Sequence, residues 1–292
     1  MRKVKVAATQ MSCSANSAEN ISKAEALVRK AAQKGARIIL LQELFETCYF
    51  CQKEKADYYG YARELADNEA VRHFKKIARE LEVVLPISFY EKKNYARYNS
   101  VAVVDADGEV LGIYRKSHIP DGPGYEEKFY FNPGDTGFKV WQTRYGKIGV
   151  GICWDQWYPE AARCMTLMGA ELLFYPTAIG SEPQDAALDS KEHWQACMLG
   201  HAAANLIPVI ASNRIGSEED EDSRITFYGS SFIAGPQGNK LVEGGRTEET
   251  VLVAEFDLDQ LEVRRIEWGI FRDRRPDLYK IITSSDGELI IS

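Results

Sequence analysis

A layered α/β fold is what this sequence predicts, and three features of its 292 residues predict it. Apolar runs of strand length alternate along the chain with amphipathic segments of helix length. Several runs, such as Ile38-Ile39-Leu40-Leu41 and Leu172-Leu173-Phe174-Tyr175, are apolar without a break, as in strands covered on both faces. Turn signals separate them, among them Asp105-Ala106-Asp107-Gly108 and Pro236-Gln237-Gly238-Asn239.

Taken in order, residues 4–8 read as a first strand. Residues 20–34 form a helix with Ile21, Ala24, Leu27, Val28 and Ala31 on one face, and Gly35 stops it. Strand 37–41 leads into Gln42-Glu43-Leu44-Phe45. A helix over 67–81 follows, with Val71, Phe74, Ile77, Ala78 and Leu81 on its apolar face, and then a strand over 83–90. Strands 98–104 and 110–114 make a hairpin that delivers Arg115-Lys116-Ser117-His118. Residues 121–137 are a long loop rich in Gly, Pro and aromatics, and long loops in compact domains tend to be functional. Strand 138–141 precedes a run in which Ile148, Val150 and Ile152 alternate with Gly149 and Gly151 and which ends at Cys153. Residues 154–158 turn a corner, and Pro159 opens a helix to 168. Strand 171–176, loop 177–183, helix 191–205 and strand 207–214 follow. The acidic run 218–222 reads as a solvated loop. The last strands are 229–234 and 250–254, with 236–239 as the hairpin turn between them. A short helix over 258–266 and a polar tail over 269–292 close the chain.

Composition bounds the function. At 45% hydrophobic and 27% charged, with no linker, repeat or low-complexity segment, the chain has a large core and reads as one domain. A net charge of −7 and a pI near 5.4 argue against nucleic acid as a partner. No apolar run reaches membrane-span length, and Met1 to Met11 shows no leader pattern before its strand. Six cysteines at 13, 48, 51, 153, 164 and 197 lack a disulfide rhythm, so a reduced, cytoplasmic setting is expected.

Three residues stand just past the carboxyl ends of apolar strands, the edge where layered α/β folds form sites: Glu43, Lys116 and Cys153. Each has a plainer alternative: a loop-tip glutamate, a solvated lysine, a buried inert cysteine. Together they offer an acid/base, a cation and a nucleophile, which is what attack on a carbonyl–nitrogen bond needs. Cys153 at a strand-to-helix corner would gain from unpaired N–H groups and a positive dipole end. Cys48-x-x-Cys51 has no second ligand pair, so neither a zinc site nor a redox motif is favoured over two thiols in an aromatic loop.

Gln42-Glu43-Leu44-Phe45, Tyr114-Arg115-Lys116 and Gly149-Val150-Gly151-Ile152-Cys153-Trp154-Asp155 resemble the three signature segments of the nitrilase superfamily. The resemblance runs from Val4 to about Phe271, which would make 1–271 a single carbon–nitrogen hydrolase domain and 272–292 a tail at an oligomer interface. It implies a four-layer αββα sandwich, paired in a dimer to αββααββα. It implies catalysis by Glu43, Lys116 and Cys153, support from Glu127, an oxyanion donor in the Trp154 backbone N–H, and no metal or organic cofactor. Cys153-Trp154-Asp155-Gln156-Trp157-Tyr158-Pro159-Glu160 and His118 to Tyr125 resemble the branch that hydrolyses N-carbamoylputrescine in polyamine synthesis.

The residues around Cys153 bear on that branch. None of Trp154 to Tyr158 is basic, whereas a hydrolase of N-carbamoyl amino acids has to hold a carboxylate. Asp121, Glu126 and Glu182, with Tyr49, Trp154 and Trp157, suit an alkylammonium end instead, and Glu182 stands foremost as its reader. The expected partner is a small N-carbamoyl amine, in a homo-oligomeric protein. An ω-amidase or ureidopropionate-type hydrolase is the alternative within the class. A catalytically silent binding protein or a thiol-redox protein is the alternative outside it.

Overall fold

The first strand, Lys3–Gln10, organises half of the molecule. It pairs parallel with Ile38–Leu40 and antiparallel with Thr250–Asp257. A bridge from Ile38 to Val84 carries this sheet on into the meander Leu85–Lys93, Ala96–Val104, Val110–Arg115. The computed structural model that gives this arrangement describes residues 1–185 and 187–288; the last four residues of the tail lie outside the described residues.

A second sheet of six strands runs Lys240–Glu243, Phe232–Ala234, Val209–Ser212, Leu172–Pro176, Gly146–Val150, Val140–Thr143. Its inner pairs, joined through Leu172–Pro176, are parallel. The two sheets face each other across Val6, Ala8, Leu40, Val101, Ile148 and Phe174, all fully buried. The period of two sends Ala7 to the opposite face, where helices Ser17–Gln33 and Glu69–Leu81 lay Val28, Phe74 and Ala78 on the first sheet. Helices Pro159–Leu167 and Lys191–Asn205 cover the second with Met165, Trp194 and Met198. The layers are therefore α, β, β, α.

Helix starts follow the caps. Asn16 accepts from Glu19 N and Asn68 from Val71 N, so the first two helices begin at Ser17 and Glu69 and not at 20 and 67.

Four expectations need correction. The turn at 236–239 joins Phe232–Ala234 to Lys240–Glu243, while Thr250–Asp257 leaves for the other sheet. Lys240-Leu241-Val242-Glu243 has too few apolar residues to announce itself, as suits an edge strand. The acidic run is a hairpin, Ser217–Asp220 against Ser223–Thr226, with Glu218 buried against Arg214. The tail is not uniformly polar: Leu278 and Ile282 are each 61% exposed on the turn Pro276–Thr283. Finally, Cys153 opens a short 3-10 turn, Cys153–Trp157, and the α-helix starts only at Pro159 after the extended Tyr158, so an α-helix dipole does not end on the thiol. No helix among the described residues is long and apolar enough to cross a membrane.

Candidate active site

The strand ends converge as their sequence positions suggest. Lys116 Nζ donates to Glu43 Oε1 at 2.9 Å and to Glu127 Oε2 at 2.6 Å. Asn99 Nδ2 donates to the same Glu43 oxygen at 2.7 Å, and the Tyr49 hydroxyl donates to Glu127 Oε1 at 2.8 Å. Lys116 and Glu43 side chains are fully buried. Glu43 Oε2 has no hydrogen-bond partner among the described residues, which leaves one buried carboxylate oxygen uncommitted.

Two clamps hold this set. Arg214, fully buried, donates to the carbonyl oxygens of Glu43 (3.0 Å), Leu44 (2.7 Å) and Thr47 (3.0 Å), and to Glu218 (2.9 Å). Glu218 in turn accepts from the backbone N–H of Tyr49. The clamp closes over a strained point, since Leu44 sits at φ +47°. Asp155 is the second clamp. Its Oδ2 accepts from Ile152 N and the Tyr114 hydroxyl, each at 2.8 Å, and its Oδ1 meets His118 N at 3.1 Å and His118 Nδ1 at 2.7 Å. The turn that carries Cys153, itself at φ +41°, is thereby tied to both sides of Lys116.

Cys153 opens into a cavity of about 460 Å³ lined also by Trp154, Trp157, Asp121, Tyr125 and Glu182, with Glu127 and Gln156 reaching it from behind. No Lys or Arg is among the described lining residues. Tyr49, 1% exposed, is not on the wall; it stands behind Glu127, a positioning place and not the lining place expected from sequence. Glu126 is also off the wall. Among the described residues no group of three or more His, Cys, Asp and Glu could hold a metal ion.

Residues 5–265 match the carbon-nitrogen hydrolase family. The chain belongs to this family. It is 61% identical to the N-carbamoylputrescine amidase of Oryza sativa subsp. japonica, over 98% of this chain and 96% of that one. It is 53% identical to a citrullinase of Francisella tularensis subsp. tularensis, over 96% of this chain and 98% of that one. The crystal structure of a carbon-nitrogen hydrolase from Helicobacter pylori G27, 39% identical, matches with a TM-score of 0.91 over 97% of this chain and 99% of that one.

Electrostatics in this carbon-nitrogen hydrolase follow from one cation shared by two carboxylates. Burial alone would lower the Lys116 pKa, but Glu127 and Glu43 outweigh it and hold the ammonium well above its ordinary value. Glu127 is pushed up to about 7 by burial, with Lys116 opposing and the Glu43 charge adding. Burial, then the Glu43 charge, raises the Cys153 thiol well above its usual range, so the resting sulfur is a thiol.

Sequence reasoning missed Asn99, Arg214 and Glu218 and gave Asp155 no role. Arg214 did leave a signal: a cation at the end of a buried strand with a glutamate four residues on, which form an ion pair here.

Proposed function

We propose that this chain hydrolyses N-carbamoylputrescine to putrescine, ammonia and carbon dioxide through a carbamoyl-cysteine intermediate. The observation that carries the proposal is the wall of the cavity: Cys153 shares it with the carboxylates of Asp121 and Glu182 and with two indoles, and away from the Lys116 behind Glu127 no described Lys or Arg lines it. A ligand with an ammonium end and no carboxylate fits that wall. The name of the Oryza sativa relative supports the same substrate.

In this mechanism Glu43 takes the proton of the Cys153 thiol as the sulfur attacks the carbamoyl carbon. A thiol with a raised pKa needs such a base, and Glu43 Oε2 is uncommitted among the described residues. Lys116 and the Trp154 N–H hold the oxyanion, the latter from the 3-10 turn and not from an α-helix. As the tetrahedral adduct collapses, the carbon–nitrogen bond breaks and Glu43 returns its proton to the departing amine. Water, deprotonated by Glu43, then attacks the carbamoyl thioester. The sulfur leaves and recovers a proton, and the carbamic acid falls to ammonia and carbon dioxide. Glu127 and Tyr49 orient Lys116, and Glu182 reads the ammonium.

The citrullinase relative gives a second reading a concrete form, because citrulline is the same ureido chain with a carboxylate beside its amine. Asp121 and Glu182 would repel that carboxylate. Ammonia release from N-carbamoylputrescine, citrulline, β-ureidopropionate and N-butylurea decides between them. N-carbamoylputrescine should have the highest kcat/KM, by about tenfold or more over citrulline; an equal or higher value for citrulline overturns the proposal.

We read residues 1–271 as one domain in a cytoplasmic homo-oligomer, with the exposed Trp268, Leu278 and Ile282 supporting an interface at the tail. Light scattering at micromolar concentration tests this, and a monomeric mass contradicts it.

A further inference from the structure

Gln156 is buried in the turn that follows Cys153, reaches the cavity wall, and has no place in the mechanism above. Its side-chain orientation is fixed by chemistry. Trp194 Nε1 lies 2.7 Å from one amide terminus, and an indole N–H can only donate, so that terminus is the oxygen. The Thr177 hydroxyl meets the same oxygen at 3.2 Å. The backbone carbonyl of Gln156 is held too, by His201 Nε2 at 2.7 Å. The other amide terminus, Nε2, is buried and has no partner among the described residues. A buried amide donor left unpaired costs about 1–3 kcal/mol, so a residue otherwise pinned on every side is expected to have a use for it.

The chemistry of the ligand says which atom it meets. An N-carbamoyl amine carries an ammonium, which only donates, and urea nitrogens whose lone pairs are delocalised into the carbonyl. Its single good acceptor is the carbamoyl oxygen. That oxygen gains a third lone pair as the sulfur adds, while Lys116 and the Trp154 N–H engage two. We propose that Gln156 Nε2 is a further donor to the carbamoyl oxygen, engaged most strongly in the tetrahedral state. This rests on the hydrolysis proposed above, and it makes Gln156 a catalytic residue.

Two variants separate this from a structural role. Gln156→Glu keeps an oxygen for Trp194 and Thr177 and removes the donor. Gln156→Met keeps the length and removes both. Each is compared with wild type for kcat, KM, melting temperature and the rate at which methyl methanethiosulfonate, a thiol reagent without a carbonyl, modifies the peptide carrying Cys153. The substrate is whichever carbamoyl or amide compound the wild type turns over best. Failure of the proposed function thus appears in the wild type, and failure of this assignment in the variants. Losing one oxyanion donor should lower kcat by about 10²-fold in both variants, with KM and the Cys153 labelling rate within about threefold of wild type. A kcat within about threefold of wild type overturns the assignment. So does a labelling rate that falls in step with kcat, because Gln156 would then act by shaping the turn. If Gln156→Met does not fold, Gln156→Glu carries the test alone.

Discussion

At the base, behind the part of the cavity wall made by Cys153 and Glu127, Lys116 is bonded to two carboxylates, and Asn99, Glu43, Glu127 and Tyr49 are all buried. At the rim, Asp121 is exposed, and the Glu182 side chain is half-buried and accepts a bond from Gln184 at 3.3 Å. The base hangs from strand ends clamped by Arg214 and Asp155, whereas the rim comes from the loops around residues 121 and 182. A group whose partners are fixed before substrate arrives contributes to the barrier, since it does not reorganise during reaction. A half-exposed loop carboxylate contributes to which ligand is held. The two regions therefore divide chemistry from selection, and changes in each should show up in different kinetic constants.

The largest expected effects lie at the base. Cys153→Ala should abolish turnover while the protein stays folded, and Glu43→Gln and Lys116→Ala should each lower kcat by about 10³-fold or more. Adding either to Cys153→Ala should cost nothing further, because groups acting as a unit do not contribute independently. A Cys48→Ser, Cys51→Ser double variant, off this chain of contacts, should keep most activity. An active Cys153→Ala protein, or a dead double variant, breaks the division. An active Lys116→Ala protein removes the oxyanion role.

A smaller effect sharpens the account of the base. The Glu127 pKa is raised from 4.5 to about 7, so the folded state keeps a proton that the unfolded chain releases. That proton contributes stability fully below about pH 4.5, and the contribution is lost as pH rises through about 7. Wild type should therefore lose stability relative to Glu127→Gln across that window, read as the difference between their melting temperatures. Parallel profiles would mean that Glu127 is ionised throughout, despite its burial.

The same contrast governs what the sequence reveals. Glu43, Lys116 and Cys153 are visible because each follows a strand legible in the sequence, an unbroken apolar run before Glu43, a hairpin strand before Lys116 and a glycine-alternating run before Cys153, and the fold brings them to one edge. The layers are visible for the same reason. The clamps are not, because Arg214 and the loop at Glu43 are joined only through the three-dimensional register that seats Met11 beside Arg214. Glu218 looks like part of a solvated acidic run until that register buries it. The partner of Thr250–Asp257 is Lys3–Gln10, at the other end of the chain, and a local hairpin signal points elsewhere. Positive φ at Leu44 and Cys153 is equally silent in sequence, since neither is a glycine.

The division between base and rim is tested most directly at Glu182, with kcat/KM measured for N-carbamoylputrescine and for N-butylurea, its uncharged counterpart. Stranding an ammonium in a partly desolvated site costs about 2–5 kcal/mol, so Glu182→Gln should raise KM for N-carbamoylputrescine by about tenfold or more. kcat for N-butylurea should stay near its wild-type value, and the ratio of the two specificity constants should fall by the same factor. An unchanged ratio would mean that the amine is read elsewhere, with Asp121 next on the wall. A parallel loss of kcat on both substrates would mean that the rim takes part in the chemistry and that the division is wrong.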